Sequence, residues 1–325
     1  MTDFAGRKVL VTGGAGFIGS NLTDLLLSRG AFVRVLDNFS TGYRKNLANA
    51  EKHPNFELIE GDIRDRKCCD IATSGVDYVL HQAALGSVPR SIKDPATTIE
   101  VNVYGFTNIL HSAVENNVKR FVFASSSSVY GDEKTLPKIE ERTGRALSPY
   151  AISKQSNETI ALNFASIYNI EVIGLRYFNV FGPRQDPNGA YAAVIPKFIG
   201  LMLDHQSPVI NGDGSYSRDF TFIDNVTEAN CLAALADKNA CGKMYNISCG
   251  DKLDLNELFE HLKNKLAEHD EAIADLRAQY GAGRAGDIPH SLGSIELAKK
   301  FLGYQVKTPV KDGLLRTCEW FCKNR

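Results

Sequence analysis

Tyr150 and Lys154 stand four positions apart, downstream of the run Ser125-Ser126-Ser127-Ser128-Val129-Tyr130-Gly131. A phenol is a poor base at neutral pH, because its ordinary pKa is near ~10, and it needs help before it can take a proton from an alcohol. On a helix, positions i and i+4 share a face, so the Lys154 ammonium can lie near the phenol and lower that pKa. A serine hydroxyl brought in from a neighbouring strand would hold the alcohol between them. Proton transfer of this kind becomes useful redox chemistry only beside a hydride acceptor, and the start of the chain carries a place for one.

Gly13-Gly14-Ala15-Gly16-Phe17-Ile18-Gly19 directly follows a predicted strand, Lys8–Thr12, and opens a helix. Gly13 permits the tight turn, Gly16 lets the backbone approach a pyrophosphate, and Gly19 lets the helix pack closely on the strand. The helix N-terminus then meets the phosphate charge. Asp37 ends the second predicted strand, 18 residues after Gly19. A carboxylate there binds adenine-ribose hydroxyls and repels a 2′-phosphate, which favours NAD over NADP. Asp62-Ile63 follows the third strand and would flank the adenine ring. His81-Gln82-Ala83-Ala84 ends the fourth with small residues where the cofactor ribose and phosphate would pass. His81 itself reads as packed or hydrogen-bonded and not as catalytic.

These motifs need a scaffold, and the pattern of the chain predicts one. Short β-rich runs at Lys8–Thr12, Phe32–Asp37, Phe56–Gly61, Tyr78–Gln82, Arg120–Ser125 and Glu171–Tyr177 alternate with helical stretches such as Ile18–Arg29 and Thr98–Asn116. That alternation predicts an α/β fold with a Rossmann-like, doubly wound parallel sheet. After Gly182 prolines and glycines divide the chain into short elements, with helices expected at about Val226–Ala236 and at Asn256–His269, the latter continuing toward Tyr280. The expected division is a cofactor domain at 1–180, which also carries Ser126, Tyr150 and Lys154, and a smaller α/β domain at 181–325 for a second ligand, with some exchange of chain between them.

Composition narrows the function classes. The 325 residues are 43% hydrophobic, enough for a full core, and 37 basic side chains balance 38 acidic ones for a net charge of −1. Without blocks of like charge, neither nucleic acid nor a membrane surface is expected as the main partner. No apolar run reaches membrane-spanning length and the first residues lack a signal-peptide core, so a cytoplasmic location is the expectation. The 7 cysteines show no zinc-ligand spacing and fit reduced thiols, and the 7 histidines form no HxxxH or HxH, so no metal is expected.

Taken together, Gly-xx-Gly-xx-Gly, Asp37-Asn38-Phe39-Ser40-Thr41-Gly42, the serine run, Tyr150-xxx-Lys154 and Arg176-Tyr177-Phe178-Asn179-Val180-Phe181-Gly182 resemble the extended short-chain dehydrogenase/reductase family. Within it the chain resembles nucleotide-sugar 4-epimerases. The segment His81-Gln82-Ala83-Ala84-Leu85-Gly86-Ser87-Val88-Pro89-Arg90-Ser91 is similar to the bacterial ones that act on UDP-N-acetylglucosamine.

The resemblance implies roles for named residues. Tyr150 would be the acid/base on the sugar 4-hydroxyl, Lys154 would bind the nicotinamide ribose, and Ser126 occupies the catalytic Ser/Thr position, a role Ser127 could share or take. The cofactor would touch Gly13, Gly16, Phe17, Ile18 and Gly19, then Asp37, Asn38, Ser40 and Gly42, then Asp62, Ile63, Gln82, Ala83, Ala84 and Tyr177. The sugar and diphosphate would meet Ser87, Arg90, Asn179, Ala193, Val194 and Lys197. Asn211 and Tyr216 would lie near uridine, Arg218 and Arg284 would pair with the diphosphate, and Asp287 would accept from a ribose hydroxyl. Guanidinium forks match phosphate oxygens and stay charged.

The same resemblance separates reactions. Related dehydratases carry Asp-Glu straight after the catalytic Thr, and decarboxylases a Glu in this stretch, whereas here Ser127 and Ser128 follow Ser126. Serine is a poor acid or base, which disfavours elimination and leaves oxidation with re-reduction. Ser291 aligns with a pocket-wall position that holds a bulky Tyr in epimerases restricted to unacetylated sugars. A small residue there leaves volume for an acetamide and favours interconversion of UDP-N-acetylglucosamine and UDP-N-acetylgalactosamine. A UDP-glucose/UDP-galactose 4-epimerase is the alternative, and an NAD-dependent nucleotide-sugar dehydrogenase or reductase ranks below it. A homodimer through the Tyr150–Tyr168 and Thr98–Asn116 helices is also implied.

Overall fold

The computed structural model describes residues 3–188, 192–283 and 290–324. Six strands follow one another in the first 177 residues: β1 (Lys8–Thr12), β2 (Phe32–Asp37), β3 (Phe56–Glu60), β4 (Tyr78–His81), β5 (Arg120–Ser126) and β6 (Glu171–Tyr177). Together with Lys243–Ile247 they form one seven-stranded parallel sheet. In space the order runs from Lys243–Ile247 through β6, β5, β4, β1 and β2 to β3. Val9, Val11, Val33, Val35, Val79, Leu80, Val122 and Ile173 are fully buried, as expected for strands covered on both faces.

One helical layer contains Phe17–Ser28 and Ile223–Leu235, packed on each other. The other contains Arg66–Thr73, Phe106–Glu115 and Pro149–Tyr168. The sheet is therefore covered from both halves of the chain. Residues beyond Gly182 supply the last strand as well as one of the covering helices, and a single apolar cluster runs from Leu22 and Val35 to Val226, Leu258 and Phe321.

The strand order reverses between β1 and β4, and at such a switch point the loops diverge at the carboxyl ends of the strands and leave a crevice. The glycine turn and the Gln82–Gly86 segment both leave the sheet there. This connectivity brings the predicted cofactor motifs together.

Several boundaries differ from expectation. β3 and β4 stop one residue earlier, while β5 extends to Ser126. The Thr98–Asn116 stretch is an α-helix at Pro95–Ile99, a π-helical turn at Glu100–Gly105 and an α-helix again at Phe106–Glu115. The helix at Leu255–Ala267 does not continue toward Tyr280. The Asp270 side chain accepts from the Ala272 amide and starts a short 3₁₀ turn at Glu271–Asp275. Tyr280 then lies in a strand, Gln279–Gly281, that pairs in parallel with Val209–Asn211. A local cap and tertiary strand pairing override the helical pattern there.

Candidate active site

The glycine turn is fixed by contacts that leave no room for side chains. A Cβ on Gly13 would lie 2.7 Å from the Ala83 amide nitrogen, and one on Gly19 only 2.1 Å from the Gly13 carbonyl oxygen. Gly13 has φ +68°, a conformation that glycine adopts without strain. Asp37, buried at the end of β2, ties this turn to the next loop: its Oδ2 accepts from the Ala15 amide and its Oδ1 from the Phe39 amide, both at 2.8 Å. Burial pushes its pKa up against the pull of those two amides.

These groups border a cavity of about 590 Å³. Its lining contains Gly13, Gly16, Phe17, Ile18 and Gly19, then Asp37, Asn38, Ser40 and Gly42, then Asp62, Ile63, Gln82, Ala83 and Ala84, and also Arg90. Asn38 Nδ2 donates to Asp62 at 2.8 Å, joining the loops after β2 and β3. Arg64 holds Asp62 through its backbone and guanidinium and keeps the carboxyl down at about 2. The sequence reading missed Arg64, although a cation two residues from Asp62 was the available signal. The side-chain-free glycine cradle, helix N-terminus and buried carboxylate fit a dinucleotide.

Ser87 has φ 121° and caps the Val88–Lys93 helix by accepting from the Arg90 amide. Tyr177 does not line the cavity. Its hydroxyl accepts from Asn230 at 2.8 Å and donates to Gln82 Oε1 at 3.1 Å, while Gln82 Nε2 donates to Asn230 Oδ1 at 3.0 Å. That closed triad fastens the end of β4 to the Ile223–Leu235 helix. His81 is fully buried, shares a 2.8 Å hydrogen bond with Thr12 and packs on Phe106 and Phe121. Burial and the nearby Lys154 charge depress its pKa to about 3, which keeps it neutral.

Ser126, Tyr150 and Lys154 meet at the carboxyl end of β5. Ser148 caps the Pro149–Tyr168 helix, and its hydroxyl accepts from the Ala151 amide at 3.1 Å. This cap sets the entry of Tyr150 beside the strand. Ser126 lies close enough to the Tyr150 phenol to draw its pKa down, and its hydroxyl accepts from the Ser128 amide at 3.1 Å. Lys154 Nζ lies 5.8 Å from the Tyr150 ring centroid and donates to the Ala124 carbonyl at 2.8 Å.

The expected lowering of the phenol pKa by Lys154 is not met in the chain alone. Burial pushes the Tyr150 pKa up, and the hydrogen bond to Ser126 pulls against it. Lys154 is itself depressed to about 8 by burial, with Glu158 opposing. Two buried groups each lose hydration, and that cost exceeds what they offer each other at this separation.

On the other side, Asn179 Nδ2 donates to the Asp219 carbonyl at 3.0 Å and to Ser291 Oγ at 3.3 Å. The Ser291 amide donates to the Ser217 carbonyl at 3.1 Å, and Arg218 Nη1 donates to the same carbonyl at 3.0 Å. Residues 112 positions apart thus form one wall. Its hub was missed: Asp219, fully buried, accepts from the amides of Cys249, Gly250 and Gly293, and burial raises its pKa to about 6. Ala193 and Val194 lie at the start of the Val194–Leu203 helix with Lys197 exposed one turn on, Asn211 ends the Val209–Asn211 strand and Tyr216 precedes Ser217–Arg218. Arg284 and Asp287 lie outside the described residues.

Among the described residues no group of three His, Cys, Asp or Glu is arranged to hold a metal ion, and no helix is long and apolar enough to cross a membrane.

Comparison with known proteins agrees with this geometry. The solved UDP-N-acetylglucosamine 4-epimerase from Methanobrevibacter ruminantium M1, in complex with UDP-N-acetylmuramic acid, is 37% identical with a TM-score of 0.92, covering 99% of this chain and 100% of that one. The UDP-glucose 4-epimerase of Thermotoga maritima, solved with UDP-glucose, is 35% identical with a TM-score of 0.89 over 98% of this chain and 99% of that one. The UDP-glucose 4-epimerase of Mycolicibacterium smegmatis is 33% identical over 97% of this chain and 98% of its own. Residues 9–248 match the model of the NAD dependent epimerase/dehydratase family, and the chain belongs to that family.

Proposed function

We propose that the protein interconverts UDP-N-acetylglucosamine and UDP-N-acetylgalactosamine by inversion at C4 of the sugar. The single observation that carries a reversible oxidation is the Tyr150 phenol set beside both Ser126 and Lys154, at the sheet end where the glycine cradle opens. NAD, when bound in that cradle, supplies the hydride acceptor and donor. Tyr150 takes the proton of O4 as C4 is oxidised, with Ser126 holding that oxygen. The 4-keto sugar turns about its bond to the diphosphate and presents the other face of C4, and Tyr150 returns the proton to O4 as C4 is reduced on that face. Asn179, Arg218 and Arg284 keep the nucleotide in place during the turn. Ser127 and Ser128 offer neither the acid nor the base that elimination of water needs.

The acetylated substrate is favoured by Ser291, whose hydroxyl sits against Asn179 and leaves the wall without a ring. Replacing Ser291 by Tyr is expected to lower kcat/KM for UDP-N-acetylglucosamine at least ~10-fold while retaining UDP-glucose, because adding a ring removes pocket volume. Two of the similar proteins are named UDP-glucose 4-epimerases, which favours plain UDP-glucose and UDP-galactose as the second reading. Incubating the purified protein, without added NAD, with each UDP-sugar and separating the products tests both. Turnover of UDP-glucose alone selects the second reading, and absence of both reactions removes the 4-epimerase assignment.

The reading includes a homodimer. The Pro149–Tyr168 helix exposes Ile152, Leu162 and Ile167, and the adjacent Pro95–Glu115 stretch exposes Ile99 and Tyr104. Exposed apolar side chains on two packed neighbouring stretches suit a self-complementary two-fold contact. Ile167→Glu is expected to shift the protein from dimer to monomer in light scattering, and a wild-type monomer would remove the dimer from the reading.

A further inference from the structure

The Pro149–Tyr168 helix carries Tyr150, Lys154 and Glu158 one turn apart on one face, and Lys154 and Glu158 are both buried. Parallel pairing sets Ser125 opposite Arg176 and Ser126 opposite Tyr177. Because side chains alternate along a strand, Ser125 and Arg176 turn to the same face of the sheet. They meet Glu158 there. Ser125 Oγ donates to Glu158 Oε1 at 2.5 Å, Arg176 Nε donates to Oε1 at 2.9 Å, and Arg176 Nη2 donates to Oε2 at 2.8 Å. The following residue in the strand, Ser126, interacts with the Tyr150 phenol.

We propose that Glu158 is a positioning residue for proton transfer, clamping the Ser126-bearing end of β5 against the helix of Tyr150 and supplying the carboxylate that faces Lys154. The inference rests on the 4-epimerase reading. A buried ion pair is a weak stabilising device compared with apolar packing, but it fixes two elements in one relative position. Here the clamped hydroxyl and the working hydroxyl are neighbours in sequence, so a shift of the clamp moves Ser126 directly.

The groups around this carboxylate come from every packed element. Lys154 lies on its own helix. Ser125 comes from β5 and Arg176 from β6. Tyr130 accepts from Arg176 Nη1 at 3.1 Å and donates to Asn246 Oδ1 at 2.6 Å. The Glu140 carbonyl accepts from Arg176 Nη1 at 2.9 Å, and its carboxyl accepts from the Asn246 amide at 2.8 Å. His81, neutral and buried in β4, feels the charge of Lys154. Glu158 therefore has Arg176 as its bound cation and Lys154 as its second, and it raises the Lys154 pKa against the effect of burial. Glutamine would keep the shape, remove the charge and leave the Arg176 cation uncompensated. Both effects make Lys154 lose its proton at lower pH.

The test compares wild type, Glu158→Gln and Ser125→Ala for NAD content, melting temperature and kcat against pH with the UDP-sugar. A competitive labelling titration of Lys154 with acetic anhydride, read by mass spectrometry, follows its protonation without substrate. Glu158→Gln is expected to keep NAD, to lose about 10-fold in kcat near neutral pH with little change in KM, and to move the alkaline limb and the Lys154 titration down by about 1 pH unit. Ser125→Ala is expected to lose about 3-fold in kcat at unchanged KM, with the limb in place, because it removes one hydrogen bond and no charge. Wild-type kcat per NAD-loaded molecule together with an unmoved titration in Glu158→Gln overturns the proposal, even if the melting temperature falls. Should Glu158→Gln fail to fold, Ser125→Ala decides: full kcat overturns the proposal and a reduced kcat at constant KM supports it. A wild type that turns over no UDP-sugar removes the 4-epimerase reading alone, and the Lys154 titration still decides the clamp.

Discussion

Replacing Tyr150 by Phe is expected to reduce kcat about 10³-fold while leaving NAD content and melting temperature near wild type, in line with what one positioned acid/base contributes. The ring stays, so the packing of the helix entry set by Ser148 stays with it, and only the hydroxyl beside Ser126 is lost. No neighbour can stand in for that proton. His81 is buried and hydrogen-bonded to Thr12 with its pKa down at about 3, and Lys154 is engaged with the Ala124 carbonyl. Wild-type turnover in Tyr150→Phe would falsify the assignment of this phenol. The intact enzyme should also lose activity as pH rises through about 8, where Lys154 gives up its proton.

The second large effect belongs to Gly19. Alanine there would place a methyl group 2.1 Å from the Gly13 carbonyl oxygen and 2.8 Å from Gly14 Cα, and both are backbone atoms of the turn itself. Neither can yield without moving the helix away from β1. Overpacking of this kind costs about 3 kcal/mol, which corresponds to a melting temperature lower by about 4–5 °C in a chain of 325 residues. The expected Gly19→Ala protein is less stable and purifies with little NAD, because the turn that must approach the pyrophosphate is displaced. Spectroscopic measurement of bound NAD and a thermal melt check this together, and normal NAD content with an unchanged melt would show that the turn tolerates the methyl group.

Much of the scaffold was legible along the chain. β1, β2 and β6 appear with their predicted ends, because period, burial and glycine punctuation agree locally. The cofactor motifs were legible for the same reason: a strand, a glycine turn and a helix start are adjacent in sequence. Where local and tertiary signals disagree, the reading failed. The stretch after Ala267 has a helical pattern, yet Asp270 caps a new turn and Tyr280 pairs with Ile210.

By itself the sequence determined the parallel α/β class, the glycine cradle with Asp37, and the one-turn spacing of Tyr150 and Lys154, since each depends on spacing within one or two turns or strands, while it left Ser126 and Ser127 as alternatives. Only the tertiary structure decided that Ser126 neighbours the phenol while Ser125, one residue earlier, bonds Glu158. Alternation along β5 sends the two hydroxyls to different partners, and no spacing in the chain states which partner lies on which side. It also decided that Asn179 and Ser291 share a wall, through backbone bonds gathered by the buried Asp219. The same holds for the ionisation of the pair. Spacing places a cation one turn from a phenol, but burial of both groups governs their pKa values, and burial is a property of the packed molecule.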